Sequence, residues 1–460
     1  MKLLCISNGH GEDAIAAHIL TPLRQSHPDI SLSALPITGS GSPYQSINIP
    51  IIGRTQVLPS GGFLNRDARQ LARDMNQGLI ALTRSQLSAL KTWSKTGSRQ
   101  TDKFILAVGD IVPLIFAYRS GLPYAFVGTA KSEYWHRDER GKLPATTLAE
   151  NLAGWSGSVY LPWERWLMSR PNCKAAFVRD GLTAQQLNRL GIRAQYSGNP
   201  MMDGLAPTGK LTALLSELVK SSLQPPAVDS QTQAANGSIG LSPGVDRAKA
   251  TARYVTQKQQ PTTPLTIVLL PGSRPMEAYE NWANIIAAVP SLTQALPRRP
   301  LILLAAIASS LSLKKLQAPL SSWQLQPGSY PIFTQQSVTL LLVNDAYSDC
   351  LHQAEIAIAT AGTATEQFVG LGKPAITLPG NGPQFTPAFA TVQAKMLGPS
   401  IQMVNKPEDV GPAIAQIISD PDRLHLIYEN GKQRMGEPGA GGAIAQQLDK
   451  LIKRSSSPSP

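Results

Sequence analysis

Short apolar runs that end in a glycine- or proline-bearing turn and pass directly into a helical pattern recur along this chain, and the rhythm breaks once. Lys2 to Ile6, Phe104 to Val108, Tyr124 to Val127 and Ala175 to Val178 are such runs in the first part. Their brevity and near-continuous hydrophobicity predict buried parallel strands, with the amphipathic stretches between them as crossover helices. From about Ala206 to Pro264 the character changes. After the helical piece LTALLSELVKSSL the segment is rich in Gln, Ser, Pro, Gly and Ala and almost lacks large apolar side chains. Such a stretch buries too little surface to offset its ordering entropy, and it reads as a flexible insertion between domains. The rhythm restarts at LTIVLLPGSR (Leu265 to Arg274) and continues through PLILLAAI, TLLLV, EIAIATAGTATEQF and KPAITLPG.

The expected organisation is therefore an α/β unit over 1–204, a linker or insertion over 205–264, a second α/β unit over 265–440, and a terminal helix with a polar, frayed tail over 441–460. A chain of 460 residues with 42% apolar composition can build both cores. Doubly wound sheets bind ligands beyond the carboxyl ends of their strands, so two facing domains place the informative residues just after strands.

Charge and cysteine usage limit the partners. The formal charge of +12 suits anionic partners, but aromatics make up only 6% and no stretch interleaves them with basic residues as an RNA-binding sheet would. Nucleic acid is not expected. The three cysteines, Cys5, Cys173 and Cys350, show neither a disulfide framework nor metal-ligand spacing, so a reducing, cytoplasmic setting and no metal are expected. The first apolar run is too short for a signal peptide, and no window approaches the roughly eighteen apolar residues of a membrane span.

Two loops of the second unit share one design. In LTIVLLPGSRPMEAYENW, Gly272, Ser273 and Arg274 follow a strand and precede a helix, bringing turn amides, a hydroxyl and a guanidinium together as a pyrophosphate requires. An ordinary strand-to-helix turn with a solvated Arg274 has the same sequence. In EIAIATAGTATEQF a strand from Glu355 to Ala359 runs into small residues around Gly362 and Thr363 and a helix start carrying Glu366 and Gln367. Free amides and the positive helix end favour an anion there. The next loop, Pro379 to Phe385, offers Asn381 and Gln384 to a sugar's hydroxyls.

These loops, with GLGKP, LPWERW (Leu161 to Trp166) and YSGNPMMDGL (Tyr196 to Leu205), resemble the GT-B glycosyltransferases, most closely the lipid-A-disaccharide-synthase-related proteins. The resemblance spans most of the chain apart from the linker. It implies the GT-B fold, two Rossmann-like doubly wound domains facing across a cleft. It also implies an inverting, metal-independent transfer from a UDP-sugar, with no separate cofactor, to a lipid-linked or amphiphilic acceptor. By this likeness Gly272, Ser273, Arg274, Gly362 and Thr363 meet the diphosphate. The family usually carries a ribose-binding Glu five residues after the glycine; here that position is Gln367, and the acid stands one place earlier at Glu366, about 100° away around a helix. The same fold is shared by UDP-N-acetylglucosamine 2-epimerases and by a nucleotide-sugar-binding protein that has lost chemistry, and both stay open as alternatives.

The first unit is expected to supply the acceptor side and the base. In SNGHGED, Asn8, Gly9 and Gly11 let the loop approach the cleft, and His10 is a base or a histidine that merely holds the turn. Asp110 in ILAVGDIVPL is the other base, or only the N-cap of the following helix. Glu12 and Asp13 fall in a first helical turn, where acids complement the macrodipole; they would also repel a diphosphate, which belongs instead to the second unit. KSEYWHRDER (Lys131 to Arg140) is a candidate acceptor loop or a solvated charge run.

Two stretches suit an anionic membrane surface, which places the protein peripherally at a membrane's inner face. One is the amphipathic helix through Leu64, Leu71, Met75, Leu79, Leu82, Leu87 and Leu90, better read as packing on a sheet. The other is GWSGSVYLPWERWLMSR, with three of the seven tryptophans, where core packing is the slightly better reading.

Overall fold

The computed structural model describes residues 1–9, 11–56, 78–96, 102–144, 154–222, 263–380 and 385–456. The sequence-predicted site residues His10, Asn381 and Gln384 lie outside them, as do the loop VLPSGGF and Leu64, Leu71 and Met75.

Two sheets carry the chain. The first is built from β1 (Lys2–Ser7), β2 (Ser31–Pro36), β3 (Lys103–Gly109), β4 (Tyr124–Gly128), β5 (Cys173–Val178) and β6 (Ala194–Gln195), in the order β2-β1-β3-β4-β5-β6 and parallel throughout. β3 and β4 are buried along their whole length, which is why they read as unbroken apolar runs without alternation. The second sheet comprises β7 (Leu265–Leu270), β8 (Leu301–Ala306), β9 (Gln324–Gln326), β10 (Ile332–Gln335), β11 (Val338–Val343), β12 (Ile356–Ala359), β13 (Ala375–Thr377) and β14 (Ile401–Met403). Its order is β9-β10-β11-β8-β7-β12-β13-β14, with only the β9/β10 and β10/β11 pairings antiparallel.

Both orders reverse direction at one place. In the first sheet the chain leaves β1 outward to β2 and returns on β1's other side as β3; in the second it passes from β7 to β8, out to the edge strand β9 and back through β10 to β11, and then crosses to β7's other side as β12. Loops leaving the two strands at such a point diverge and open a crevice between them. Ser7 pairs with Val108 at the first reversal, and Leu270 pairs with Ala359 at the second. The residues just beyond are Asn8 and Asp110 in one domain, and Pro271 to Arg274 and Thr360 to Thr363 in the other.

The helices used below are α1 (Gly11–Ser26), α2 (Leu79–Lys95), α3 (Ile111–Arg119), α4 (Pro162–Met168), α5 (Pro275–Ala287), α6 (Thr363–Gly370), α7 (Pro387–Leu397), α8 (Pro421–Met435) and α9 (Ala440–Ser456). α9 leaves the second domain and packs on α1 of the first. Asp203 joins the two crossings, accepting from the amides of Gly439 at 2.5 Å and Gly441 at 2.6 Å.

Four expectations change. The segment 205–264 is fixed at its start: Leu205, Leu211 and Leu215 are buried, and Asp349 accepts from the amides of Thr208 and Gly209. The tail does not fray at Leu451, because α9 runs to Ser456 and buries Ile452. Lys131 to Arg140 is neither a free acceptor loop nor a solvated charge run. Its Glu133 is buried and paired with Arg137, the Arg434 guanidinium of α8 lies 4.2 Å from the Tyr134 ring centroid, and Gln433 donates to Glu139 at 2.8 Å, so the loop docks one domain on the other. In the tryptophan-rich stretch Tyr160 is buried, but Trp155, Trp163 and Trp166 face outward. The leucine helix does pack on the sheet: within α2, Leu82 and Leu90 are buried, and Gln86 donates to the carbonyls of Pro36 and Ile37.

Candidate functional site

At the first reversal the backbone is held close by two glycines. Gly9 has φ +122°, and a Cβ there would stand 2.3 Å from the Thr38 carbonyl oxygen. Gly109 has φ +134°, and its Cβ would fall 1.9 Å from Asn8 Oδ1. The space is needed because Asn8 and Asp110 bind each other reciprocally: Asn8 Nδ2 donates to Asp110 Oδ1 at 2.9 Å, and the Asp110 amide donates to Asn8 Oδ1 at 2.9 Å. Asp110 Oδ1 also accepts from the Val112 amide at 2.8 Å, so the residue is the N-cap of α3 and a cleft carboxylate at once. Burial raises its pKa, against the pull of Val112, Asn8 and Lys131. Gly11 opens α1 with nothing within 4 Å of its Cβ direction, so no steric demand makes it a glycine.

The two acids in the first turn of α1 do more than complement the helix dipole, because both lie inside. Glu12 is buried between the ends of β1, β3 and β4, accepting from Thr129 Oγ1 at 3.3 Å. Burial, with smaller contributions from the Asp110 and Asp13 charges, pushes its pKa up to about 7. Asp13 accepts from Ser7 Oγ at 2.6 Å, and burial raises it to about 6. A group that changes charge near neutrality and faces a cleft is suited to move a proton. Periodicity carries no sign of this, because the burying groups come from β3 and β4, about a hundred residues away in sequence.

The second reversal is braced by a side chain with no motif around it. Asn281 of α5 donates to the carbonyls of Pro271 at 3.2 Å and Thr360 at 3.5 Å, tying together the loops that follow β7 and β12. Gln393 of α7 donates to the carbonyls of Ala361 and Gly362. Ser273 and Thr363 are exposed and Gly272 and Gly362 half-buried, so the four remain on the open side of the loops. Arg274 is half-buried, and burial lowers its pKa against the Glu277 and Glu12 charges. Glu12 belongs to the other domain. Among the described residues no hydrogen bond or ion pair holds the Arg274 guanidinium.

Glu366 and Gln367 go elsewhere. Glu366 pairs with Arg179, which follows β5, at 2.9 Å with both side chains buried. Gln367 accepts from the Tyr347 hydroxyl at 2.7 Å and donates to the Met201 carbonyl at 2.8 Å. Both residues thus bind the first domain, pointing to different parts of it as adjacent helical positions must. Arg179 also donates to the Thr129 carbonyl at 3.2 Å, so one residue, Thr129, touches both the Glu12 carboxyl and the interdomain ion pair. Among the described residues no group of three or more His, Cys, Asp or Glu is placed to hold a metal ion.

No protein-family model and no curated protein matches the chain. Solved structures do. The calicheamicin glycosyltransferase CalG4 is 14% identical, with 99% of each chain covered and a TM-score of 0.55. S. aureus MnaA, solved with UDP, is 13% identical over 98% of this chain and 97% of its own, with a TM-score of 0.53. A putative UDP-N-acetylglucosamine 2-epimerase from Listeria monocytogenes is 12% identical over 100% of this chain and 98% of its own, with a TM-score of 0.51. At such identities the likeness is one of fold and does not single out the lipid-A-disaccharide synthases. Together with the paired parallel sheets, it shows that the chain has the GT-B fold, two Rossmann-like domains facing across a cleft.

Proposed function

We propose that the protein is a glycosyltransferase that moves a sugar from a UDP-linked donor to a lipid-linked or amphiphilic acceptor at an anionic membrane surface. The observation that carries this reading is the pairing across the cleft. A partly desolvated Arg274, whose guanidinium no hydrogen bond or ion pair holds among the described residues, sits at the reversal of one sheet and feels the charge of Glu12, a buried carboxyl of raised proton affinity that lies beside Asp110 at the reversal of the other.

The donor's diphosphate lies on Pro271 to Arg274 and Thr360 to Thr363, where Arg274, the Ser273 and Thr363 hydroxyls and the α6 amides take up its charge. An acceptor hydroxyl beside Asp110 or Glu12 gives its proton to that carboxylate as its oxygen bonds the sugar's anomeric carbon. The bond to the diphosphate breaks on the opposite face, inverting the centre, and Arg274 stabilises the leaving charge. No group beyond donor and acceptor enters.

The paired carboxyls also suit epimerisation of a UDP-sugar, which needs an acid and a base around the ring and no acceptor. Incubating the purified chain with UDP-sugars, with and without extracted lipids, separates the two when new glycolipids are sought by mass spectrometry and the donor sugar's configuration is read by NMR, since an epimer has the mass of its parent. New glycolipid supports transfer, and an epimerised donor without acceptor supports the second reading. Arg274→Ala should abolish donor binding, whereas Asp110→Asn or Glu12→Gln should spare it and lower turnover about a hundredfold or more. Absence of any thermal shift or turnover with UDP-sugars refutes both readings.

A further inference from the structure

We propose that the ridge formed by Ile115 and Tyr118 of α3 with Trp163 and Trp166 of α4, rimmed by Arg119, Arg165 and Arg170, docks the protein on an anionic phospholipid bilayer.

The ridge follows from helical spacing. Ile115, Tyr118 and Arg119 stand three and four apart on α3, and Trp163, Trp166 and Arg170 do the same along α4 and its end, so each set shares one face. The opposite faces are anchored: Leu114, Phe116, Ala117, Leu167 and Met168 are buried in the first domain's core. The outward faces are bare, with Ile115 37%, Tyr118 39%, Trp163 53% and Trp166 46% exposed. Tyr118 meets Trp166 edge to face at 5.3 Å, which makes the two helices one continuous apolar surface.

Charge selects the occupant. The Arg170 guanidinium lies 4.2 Å from the Trp166 ring centroid and donates through Nε to the Trp166 carbonyl at 3.1 Å, so a cation is held at the ridge's edge. In segments 111–123 and 155–174 the single acid is Glu164, which is buried and bound to Lys131 at 2.5 Å. Within those two segments, therefore, no exposed carboxylate dilutes the positive rim. Amphipathic Trp and Tyr rings beside arginines match the headgroup layer of an anionic bilayer, ring toward the acyl boundary and guanidinium on phosphate. A second copy fits badly, since a two-fold contact would set the arginines of one ridge against those of the other.

The ridge also explains how an amphiphilic acceptor would reach the site. α3 carries Asp110 as its N-cap at one end and Tyr118 and Arg119 at the other, and its nine residues span about 13 Å. A headgroup lifted by that distance from docked lipid meets the candidate base. This last step rests on the transferase reading, whereas docking itself does not.

The test uses the full chain without sugar donor and vesicles of phosphatidylcholine, alone or mixed with phosphatidylglycerol. The wild-type protein is expected to co-float with the anionic vesicles, and bromine-labelled lipid is expected to quench its tryptophan emission, a readout that needs no variant. Trp163→Ala with Trp166→Ala should lower partitioning at least about tenfold. Arg165→Gln with Arg170→Gln should lower it about tenfold on anionic vesicles only. Absence of wild-type binding, binding indifferent to the tryptophans, or self-association through the ridge in place of vesicle binding would overturn the inference. Docking without sugar transfer counts against the transferase reading alone, and transfer to a water-soluble acceptor without docking counts against the ridge alone.

Discussion

Replacing Glu12 by Gln tests whether this carboxyl is held away from water as the structure shows. Burial raises its pKa from an ordinary 4.5 to about 7, so the folded chain grips the proton more tightly than the unfolded chain does. Stability contributed by the protonated group is complete below about pH 4.5 and is lost as pH rises through about 7. Each tenfold gain in proton affinity is worth about 1.4 kcal/mol, so the loss reaches about 3 kcal/mol. Gln has the shape of the protonated acid and does not titrate. Near pH 4.5 the two proteins should therefore unfold alike, while by pH 8 the variant should be the more stable by up to about 3 kcal/mol. For a domain of this size each kcal/mol moves the midpoint by roughly 2–4 °C, which predicts a gap on the order of 6–12 °C at pH 8. Thermal unfolding of both proteins across a pH series, followed through the first domain's transition, measures it. A gap that does not change with pH, or a variant less stable than wild type at pH 8, would refute the reasoning.

The interdomain pair should behave as a buried ion pair does: Glu366→Gln, which strands the Arg179 guanidinium, should cost about 3–5 kcal/mol, and adding Arg179→Met should recover most of it. Denaturant unfolding of the single and double variants reads this, and a neutral single variant would contradict it. Gly9→Ala places a Cβ against the Thr38 carbonyl at a backbone angle unfavourable to L-residues, and should cost roughly 2–4 kcal/mol by the same measurement.

The two α/β units and the loops that end their strands are legible in the sequence because buried parallel strands write themselves as uninterrupted apolar runs, and because turns after them must carry small residues. Asp110 is legible for the same reason: of its two readings, base and N-cap, the structure shows the cap. The residues that pattern alone misplaces are those whose neighbours arrive from far along the chain. Glu12 looks like any acid in a first helical turn until Thr129 and Asp110 close over it. Glu366 looks like a ribose ligand until Arg179, 187 positions earlier, takes its carboxylate. Trp163 and Trp166 have the spacing of a core stripe, and only the packing of Leu167 and Met168 on the other side shows which face points out. Asn281 has no signal beyond being a polar residue in an apolar helix.

Repulsion by Glu12 and Asp13 is one reason for a diphosphate to avoid the first loop, since with pKa values pushed to about 7 and 6 both still carry most of their charge near physiological pH. The stronger reason lies on the opposite side of the cleft. Arg274 has lost water to burial without gaining a hydrogen bond or ion pair among the described residues, and burial lowers its pKa against the attraction of Glu277 and Glu12. On the proposed reading a doubly charged diphosphate would supply a counter-charge there through hydrogen bonds that the partly desolvated site strengthens. The same ligand would compete with Glu12 for the guanidinium's attraction. On that reading donor binding and the Glu12 carboxyl would be coupled electrostatically across the cleft, with no contact between them required.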